Sequence, residues 1–306
     1  MRSRAVPARL LTLRMAWPAV SSARRRRYLA AYAFVGPALV LLVVFVVVPM
    51  FYSLWVSLFD YGVAGSNEFT GLANYLQALR DQLFWKSLGV TSIYAVGSAA
   101  LGLAWALGLA VLVTQRLPFM GWFRILYFIP SVGSIVAVAT IWLWMLDYNL
   151  GLVNYWLSLV HLGKLPFLQN ARWALGSVIF IGAWAGASYN LPIYAAGIES
   201  VSRELFEAAQ LDGAEARQRF WHITLPSIAP ITRYTVIMAI IGSFQVLGLI
   251  DVLTNGGPDN GTLFTIKYIW EQGWDFLHLG YASAISLFML LFLFVITWQQ
   301  LRAGRA

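Results

Sequence analysis

Six apolar stretches constrain this chain more than any other feature, because each is long enough to cross a bilayer as a helix. They lie at about 29–58, 87–114, 123–146, 173–198, 231–253 and 280–301. A hydrocarbon core of about 30 Å requires about 20 helical residues, and within it the backbone polar groups must be satisfied inside the segment. The sequence therefore predicts an all-α, polytopic membrane protein with six transmembrane helices.

Composition argues against several other classes. Of 306 residues, 60% are hydrophobic, 11% are charged and none is cysteine. Soluble domains carry about 25% charged residues, and a chain without cysteine forms neither a disulfide nor a thiol nucleophile. The three histidines, His161, His222 and His278, are dispersed. We therefore expect no cofactor, no metal site and no catalytic site, and a membrane-embedded enzyme is disfavoured.

The basic residues indicate how the spans are oriented. Eight of the 21 lie in residues 1–28, with Arg24 to Arg27 just before the first span. A basic tail beside an apolar helix sets orientation or contacts anionic lipid, which we favour over nucleic-acid binding. If the amino terminus is cytoplasmic, 16 basic residues lie inside and 5 outside. We expect both termini in the cytoplasm, a basic tail over 1–28 and a membrane domain over 29–306. The five outside are Arg80, Lys86, Lys164, Arg172 and Lys267.

The loop between the fourth and fifth spans, residues 199–230, is predicted to contain two short helices. Ser202 suits an N-cap, and Glu204 would meet the positive end of the first helix. Gly213 suits the left-handed residue that follows a helix. A second segment over 214–224 is expected to end at Leu225, because a proline disfavours helix in the residue before it.

Apolar side chains in this loop exceed what a solvated connection needs. Phe206 and Ala208 belong to the first helix, and Phe220 and Trp221 to the second segment. These side chains either pack on the protein's own span ends or are covered by a partner protein. Both explanations remain open at the level of the sequence.

A spaced motif in the same loop resembles the EAA loop of bacterial ATP-binding-cassette importer permeases. It consists of Glu207-Ala208-Ala209, Gly213 after three residues, and Ile223-Thr224-Leu225-Pro226 after nine more. The resemblance implies that the first helix is a coupling helix, which docks in a groove of a separate ATPase subunit. Glu207 is expected to contact the ATPase and Gly213 to shape the turn. The implied coupling residues are Phe206, Glu207, Ala208, Ala209, Leu211, Asp212, Gly213 and Pro226.

Other stretches resemble the carbohydrate-uptake branch of these permeases, of the maltose and glycerol-phosphate type. They are Phe69 to Tyr75, Phe123 to Pro130, Asn149 to Leu157 and Leu253 to Thr262. The resemblance runs from about residue 29 to the end of the chain. It implies a bacterial inner membrane location and three kinds of partner: a second homologous permease subunit, a cytoplasmic ATPase dimer and an extracytoplasmic solute-binding protein.

Charge is sparse within the predicted spans. Asp147 and Asp251 are the acidic residues that come nearest to them, and an ion-coupled carrier normally needs ionisable groups near the midplane. The chain also lacks a G-x-x-x-x-G-K-[ST] phosphate loop. An ion-coupled carrier is therefore disfavoured, and ATP hydrolysis is expected in another subunit.

Neutral polar and aromatic side chains are the candidates for solute contact, and they suit an uncharged polyol. They are Trp184, Gly186, Tyr189 and Asn190 in span four, with Ser243 and Gln245 in span five. Helix packing explains any one of them equally well. Trp184, Gly186 and Tyr189 match positions of the maltose-type sugar site.

Three positions depart from that maltose-type pattern. Gly182 stands where the maltose permease has an amide side chain, and Gly242 and Val246 replace larger or polar groups. The resemblance therefore does not imply maltose-like binding. A permease for a polyamine or a phosphate ester is the alternative, and it would require a charged pocket.

Overall fold

The structure is a computed structural model that describes residues 22–62, 67–115, 125, 127–128 and 130–303. Within these residues the regular structure is helical, apart from one isolated bridge between Phe59 and Phe69. The described part of the chain contains π-helical turns at Val43–Val47, Phe220–Thr224 and Glu271–Asp275. The α-helices are α1 (Ser22–Leu42), α2 (Val48–Val56), α3 (Ala73–Arg80), α4 (Gln82–Val113), α5 (Ile135–Met145), α6 (Leu152–Leu159), α7 (Ala171–Glu199), α8 (Arg203–Leu211), α9 (Ala216–Arg219), α10 (Leu225–Ser227), α11 (Ala229–Ser243), α12 (Gly248–Leu253), α13 (Thr265–Trp270) and α14 (Leu279–Ala303).

The chain divides after Tyr52 into two units. In the first unit, α1 continues through a π-helical turn into the start of α2, and the amide of Val48 donates to the carbonyl of Val43 five residues back. Pro49 follows directly and has no amide hydrogen to donate. A π-helical turn is a common local adjustment of this kind. Of the predicted basic tail, residues 1–21 lie outside the described residues.

Among the described residues, four helices are long and apolar enough to cross a membrane, namely Arg27–Val56, Gln82–Val113, Ala171–Glu199 and Leu279–Arg302. They match four of the six predicted spans to within a few residues. A bent pair, Ala216–Ser227 with Ala229–Ser243, gives a fifth if it is counted as one span. The predicted third span, 123–146, falls partly outside the described residues and contains α5, an 11-residue helix. Six spans therefore remain a prediction.

The fifth span differs from the prediction at both of its ends. Leu225 was expected to leave the helical conformation before Pro226, but its φ of −61° and ψ of −45° are helical. The preceding turn is π-helical, and the helix ends only at Ile228, where the axis bends by 65°. At the other end α11 stops at Ser243, ten residues before the predicted boundary. The predicted stretch 231–253 is therefore interrupted between Ser243 and Gly248, and α12 ends at its predicted boundary, Leu253.

The centre of the second unit is the close pair of α4 and α7. A Cβ added to Gly102 would lie 2.9 Å from the carbonyl oxygen of Ala183, and one added to Gly97 would lie 3.2 Å from Ile179. Small residues let helix backbones approach closely in a bilayer, where the hydrophobic effect does not drive helices together. The small-residue run over 97–110 thus serves helix packing at these two positions.

Charged and phenolic groups tie the amino-terminal end of α4 to α13 and α14. The Asp81 carboxylate caps α4 and also accepts hydrogen bonds from the hydroxyls of Tyr268 and Tyr281. Lys267 is only 5% exposed, and its ammonium lies 2.7 Å from a carboxylate oxygen of Asp251. A buried lysine needs such a partner, so Asp251 has a structural role next to α13.

Candidate functional site

A cavity of about 350 Å³ lies between α4, α7 and α11. Among the described residues, the lining carries hydroxyl, phenol and amide groups and no charged side chain. A pocket with these groups forms hydrogen bonds with a neutral polar solute and offers no counter-charge to an ion. The lining residues are Tyr94, Ser98, Ala99, Gly102, Leu103, Ile135, Gly182, Ala185, Gly186, Tyr189, Asn190, Met238, Ala239, Gly242, Ser243, Val246 and Leu249.

The cavity lies beside the break between α11 and α12. Phe244 to Leu247 separate the two helices, and Gly242 has no atom within 4 Å of an added Cβ. Non-helical backbone at membrane depth is tolerated where it lines a cavity, and interrupted helices mark binding sites in several transporter folds. The break in the fifth span therefore lies where the polar lining is found.

Hydrogen bonds within the helices hold the polar side chains of the cavity in place. Ser243 donates to the carbonyl of Ala239 at 2.7 Å, and its hydroxyl oxygen is 3.5 Å from that of Ser98. Asn190 donates to the carbonyl of Gly186 at 2.8 Å. Tyr189 is 64% exposed. These groups combine a fixed polar wall with one accessible aromatic ring.

Four of the six predicted solute-contact residues line this cavity: Gly186, Tyr189, Asn190 and Ser243. Trp184 and Gln245 are not among its lining residues. The ring of Trp184 instead packs edge-on against Trp142, with 5.6 Å between centroids. Gln245 is exposed in the segment between α11 and α12. The helix-packing explanation, which the sequence left open, fits Trp184 best.

The sequence did not single out the contribution of α4 to the cavity. Tyr94 and Ser98 line it but lie in or near a run of small residues that resembles simple packing surface. Gly182 was noted for the side chain that it lacks. An added Cβ there would clash with the hydroxyl of Tyr94 and lie 2.9 Å from its ring carbons Cε2 and Cζ. Tyr94 thus occupies the space that a side chain at 182 would need.

The loop helix α8 forms as the sequence predicts. The Ser202 hydroxyl accepts from the amide of Glu204 at 3.3 Å, which confirms the N-cap. Gly213 adopts a φ of +78°, which confirms the left-handed residue after the helix. The amide of Ala214 then donates to the carbonyl of Ala209 at 2.8 Å and closes the end.

The two faces of α8 differ in exposure. The question whether its apolar side chains pack on this protein or await a partner therefore has a different answer for each face. Phe206 and Ala209 are half-buried, and residues three apart lie on one face of a helix. The opposite face presents Glu207, Ala208 and Leu211, and Leu211 is 90% exposed. One face therefore rests on the protein itself, while the Glu207 face is uncovered in this chain.

The second segment of the loop also presents apolar surface. Phe220 and Trp221 pack edge to face with ring centroids 5.6 Å apart, and Trp221 remains exposed. Asp212 and Pro226 are exposed as well. Of the eight residues implied for coupling, six are exposed, whereas Phe206 and Ala209 lie on the half-buried face of α8.

A larger depression of about 860 Å³ lies beside α5 and α12. Its lining includes Trp144, Asp147, Gln169 and Asn255. The amides of Leu150 and Asn149 donate to the Asp147 carboxylate, and these bonds lower the pKa of that group. Because its carboxylate is already bonded to its own loop, Asp147 here stabilises a turn.

These features define an all-α polytopic membrane protein of the transport-permease class. They are the long apolar helices, the cavity whose described lining is uncharged, and the accessible capped helix α8. Comparison with known proteins agrees with this class. The chain belongs to the family of binding-protein-dependent transport system inner membrane components, which matches residues 98–305. The family is a transport component of the inner membrane and not a catalytic subunit.

Individual relatives match along almost their whole length. A probable ABC transporter permease, YesP of Bacillus subtilis, is 33% identical over 278 residues, which is 89% of each chain. The lactose transport system permease LacF of Rhizobium radiobacter is 31% identical and covers 95% of this chain and 99% of its own. A solved bacterial transporter that imports alginate has the same fold, with a TM-score of 0.81, 24% identity, and coverage of 92% of this chain and 96% of its own.

Proposed function

We propose that this chain is the permease subunit of an ATP-binding-cassette importer that moves a sugar or sugar-like polyol across the inner membrane. The observation that carries the choice of solute is the cavity between α4, α7 and α11, whose lining is uncharged as far as the structure describes it. Sugar hydroxyls exchange hydrogen bonds with hydroxyl and amide groups, and sugar C–H faces pack on aromatic rings. Ser98, Ser243, Asn190 and Tyr189 supply those partners.

The names of relatives support the same solute class and supply one alternative. Two relatives are transport permeases for lactose and for trehalose/maltose, and another is for sn-glycerol-3-phosphate. A phosphate ester is bound most strongly by arginine or lysine, and a polyamine requires carboxylates. In the part of the chain that the structure describes, neither kind of side chain lines the cavity, which favours a neutral solute.

The exposed face of α8 supports energy input from another subunit. Glu207 and Leu211 combine a charge with an uncovered apolar side chain, and Ala208 between them leaves room for close approach. A short amphipathic helix of this kind docks in a groove of a partner. The partner is a cytoplasmic ATPase dimer, in which the ATP is hydrolysed.

These two sites fit the following transport cycle. A loaded extracytoplasmic binding protein docks on the outer face, and closure of the ATPase on ATP moves α8 together with the spans that it joins. The solute then enters the cavity, which a second homologous permease completes. Hydrolysis resets the complex. Both termini lie in the cytoplasm in this arrangement, where the basic tail sets orientation or contacts anionic lipid.

The test is uptake into proteoliposomes that hold this chain, its partner permease, the ATPase and the binding protein encoded beside them. Labelled lactose, trehalose, sn-glycerol-3-phosphate and spermidine are compared. We expect ATP-dependent uptake of a neutral glycoside and none of the charged solutes. Uptake of only a charged solute, or uptake driven by a proton gradient without ATP, would overturn the proposal.

Two matched variants tie that uptake to the cavity. An added Cβ at Gly186 has no atom within 4 Å, so Gly186→Leu places its side chain into the cavity without a clash at the backbone. Gly176 lies on the same helix, has the same free space and does not line the cavity. Gly186→Leu should reduce uptake at least ten-fold, whereas Gly176→Leu should retain it.

A further inference from the structure

Tyr94 and Gly182 form a pair in which the ring takes the place of the missing side chain. The tip of the phenol lies where the Cβ of any other residue at 182 would stand. Tyr94 is only 3% exposed, and its ring packs against that of Phe264 with 4.7 Å between centroids. The ring is therefore held from both sides, and Gly182 is what allows it to lie across the space between α4 and α7.

Tyr94 also belongs to two features at once. It lines the central cavity, and it is part of a buried apolar cluster. Leu249 is the other lining residue that is shared with the cluster. The cluster consists of Tyr94, Val138, Ala139, Leu146, Val178, Ile181, Leu249, Ile250, Leu253 and Phe264. On this side the cavity ends at packed side chains, and Tyr94 and Leu249 are where its wall joins that cluster.

The order of residues along the spans indicates at which end of the cavity Tyr94 and Gly182 lie. On α4 the lining runs from Tyr94 to Leu103, and on α7 from Gly182 to Asn190. Both helices run inward if the termini are cytoplasmic, so Tyr94 and Gly182 lie at the outer end of the cavity. The inference rests on the proposed function for this orientation.

We infer that Tyr94, seated on Gly182, closes the solute cavity towards the outer side of the membrane. The aromatic ring itself supplies the barrier. It packs against Phe264, and its carbons Cε2 and Cζ lie 2.9 Å from the place of a Cβ at 182, so the ring fills this space without its hydroxyl. Tyr94→Phe should therefore keep the barrier, and Tyr94→Ala should open it. Gly182→Ala should displace the ring and open it in part.

The absence of cysteine from the sequence makes a direct test possible. The reporter is Gly186→Cys, in the wall of the cavity, within the assembled importer in right-side-out vesicles without nucleotide. A membrane-impermeant thiol reagent is added to the outer side. We expect modification of the reporter to be at least ten-fold faster with Tyr94→Ala than with the parental tyrosine, and within two-fold of the parent with Tyr94→Phe.

A second reporter and a double variant separate a gate from general loosening. Gly176→Cys on the same helix should be modified at an unchanged rate in Tyr94→Ala. Gly182→Ala should speed modification of the reporter at 186 when Tyr94 is present and add less than two-fold when it is replaced by alanine, because the two positions act through one contact. ATPase co-purification confirms that each variant assembles.

The outcomes are distinct from those of the uptake test, because labelling needs no solute. Equal labelling at 186 in the parent and in Tyr94→Ala overturns the gate, as does an equal increase at 176. If labelling behaves as expected while no neutral glycoside is transported, the gate stands and the proposed solute class is wrong.

Discussion

At the scale of single residues, Asp81 carries more interactions than its sequence position indicates. Its carboxylate accepts from the amides of Leu83 and Phe84, at 2.8 and 3.2 Å, and from the hydroxyls of Tyr268 and Tyr281. Desolvation raises the pKa of Asp81, but the bonds from Tyr268, Tyr281 and the two amides together outweigh it and lower that pKa. The ionised form is therefore the one that the fold stabilises.

The pH dependence of this cluster follows from the direction of each shift. A carboxyl group with a lowered pKa in the folded state contributes stability above its unfolded pKa of about 4 and loses it as the pH falls through the folded value. Burial, followed by the bond to Asp81, raises the pKa of Tyr268. That contribution is present below about pH 10 and is lost at higher pH.

We therefore expect Asp81→Ala to lower the free energy of unfolding by about 1–3 kcal/mol at neutral pH, since it removes a helix cap and leaves two phenols without an acceptor. Thermal unfolding in detergent measures the loss. Asp275→Ala, an exposed aspartate near the same end of the bundle, serves as the control. Asp81→Ala would contradict this role if it melted at the same temperature as the parent at neutral pH and if the melting temperatures of both proteins decreased equally as the pH is lowered.

At the scale of elements, the loop helix shows which parts of the fold are encoded locally. Ser202 and Gly213 delimit α8 through interactions that span a few residues, so the sequence predicts both ends correctly. Leu225 shows where local propensity fails. The bias that Pro226 imposes is offset by the π-helical turn Phe220–Thr224, which carries the helix on to Ser227. The break after Ser243 was missed because the stretch 231–253 is apolar enough overall to read as one span, although Ser243 and Gln245 lie within it.

The exposed face of α8 leads to a prediction about assembly. Leu211→Ala removes an apolar side chain that touches little in this chain, so folding should be unaffected. Burial of a leucine contributes about 1.5–3 kcal/mol, which corresponds to roughly ten- to a hundred-fold in a dissociation constant. Recovery of the ATPase with the affinity-purified permease should therefore fall at least ten-fold at limiting concentration, and Glu207→Lys should have a similar effect.

Leu150 provides the matched control for that experiment. It is 82% exposed, but it lies in the loop between α5 and α6, which is predicted to be on the opposite side of the membrane. Leu150→Ala should leave ATPase recovery unchanged. If Leu211→Ala also leaves it unchanged, the uncovered face of α8 does not bind the ATPase.

At the scale of the whole molecule, hydropathy predicts the spans far better than the cavity between them. Four spans are recovered closely, because a run of about 20 apolar residues has few alternatives. The cavity depends on contacts between residues far apart in the chain, such as Tyr94 with Gly182 and Ser98 with Ser243. No local pattern encodes such pairs, so Tyr94 was not predicted. Gly186, Tyr189, Asn190 and Ser243 were predicted from their residue types within the spans and from the resemblance, without their partners.

The arrangement of the whole chain in the membrane can be tested by the same cysteine chemistry. The basic residues predict that Gln115 and Gln210 are cytoplasmic and that His161 is on the outer side. An odd number of crossings must then lie between 115 and 161, which is the region of α5 and of residues outside the described part. All three side chains are exposed, so single substitutions Gln115→Cys, His161→Cys and Gln210→Cys should be accessible to a reagent on the correct side.

We expect an impermeant thiol reagent to modify the cysteine at 161 in intact spheroplasts, and those at 115 and 210 only after the membrane is permeabilised. The parent chain has no cysteine and gives the background. If 115 and 161 are modified from the same side, the third span does not cross the membrane. If 210 is modified from outside, α8 is on the wrong side to meet a cytoplasmic ATPase, and the proposed coupling is excluded whatever the solute.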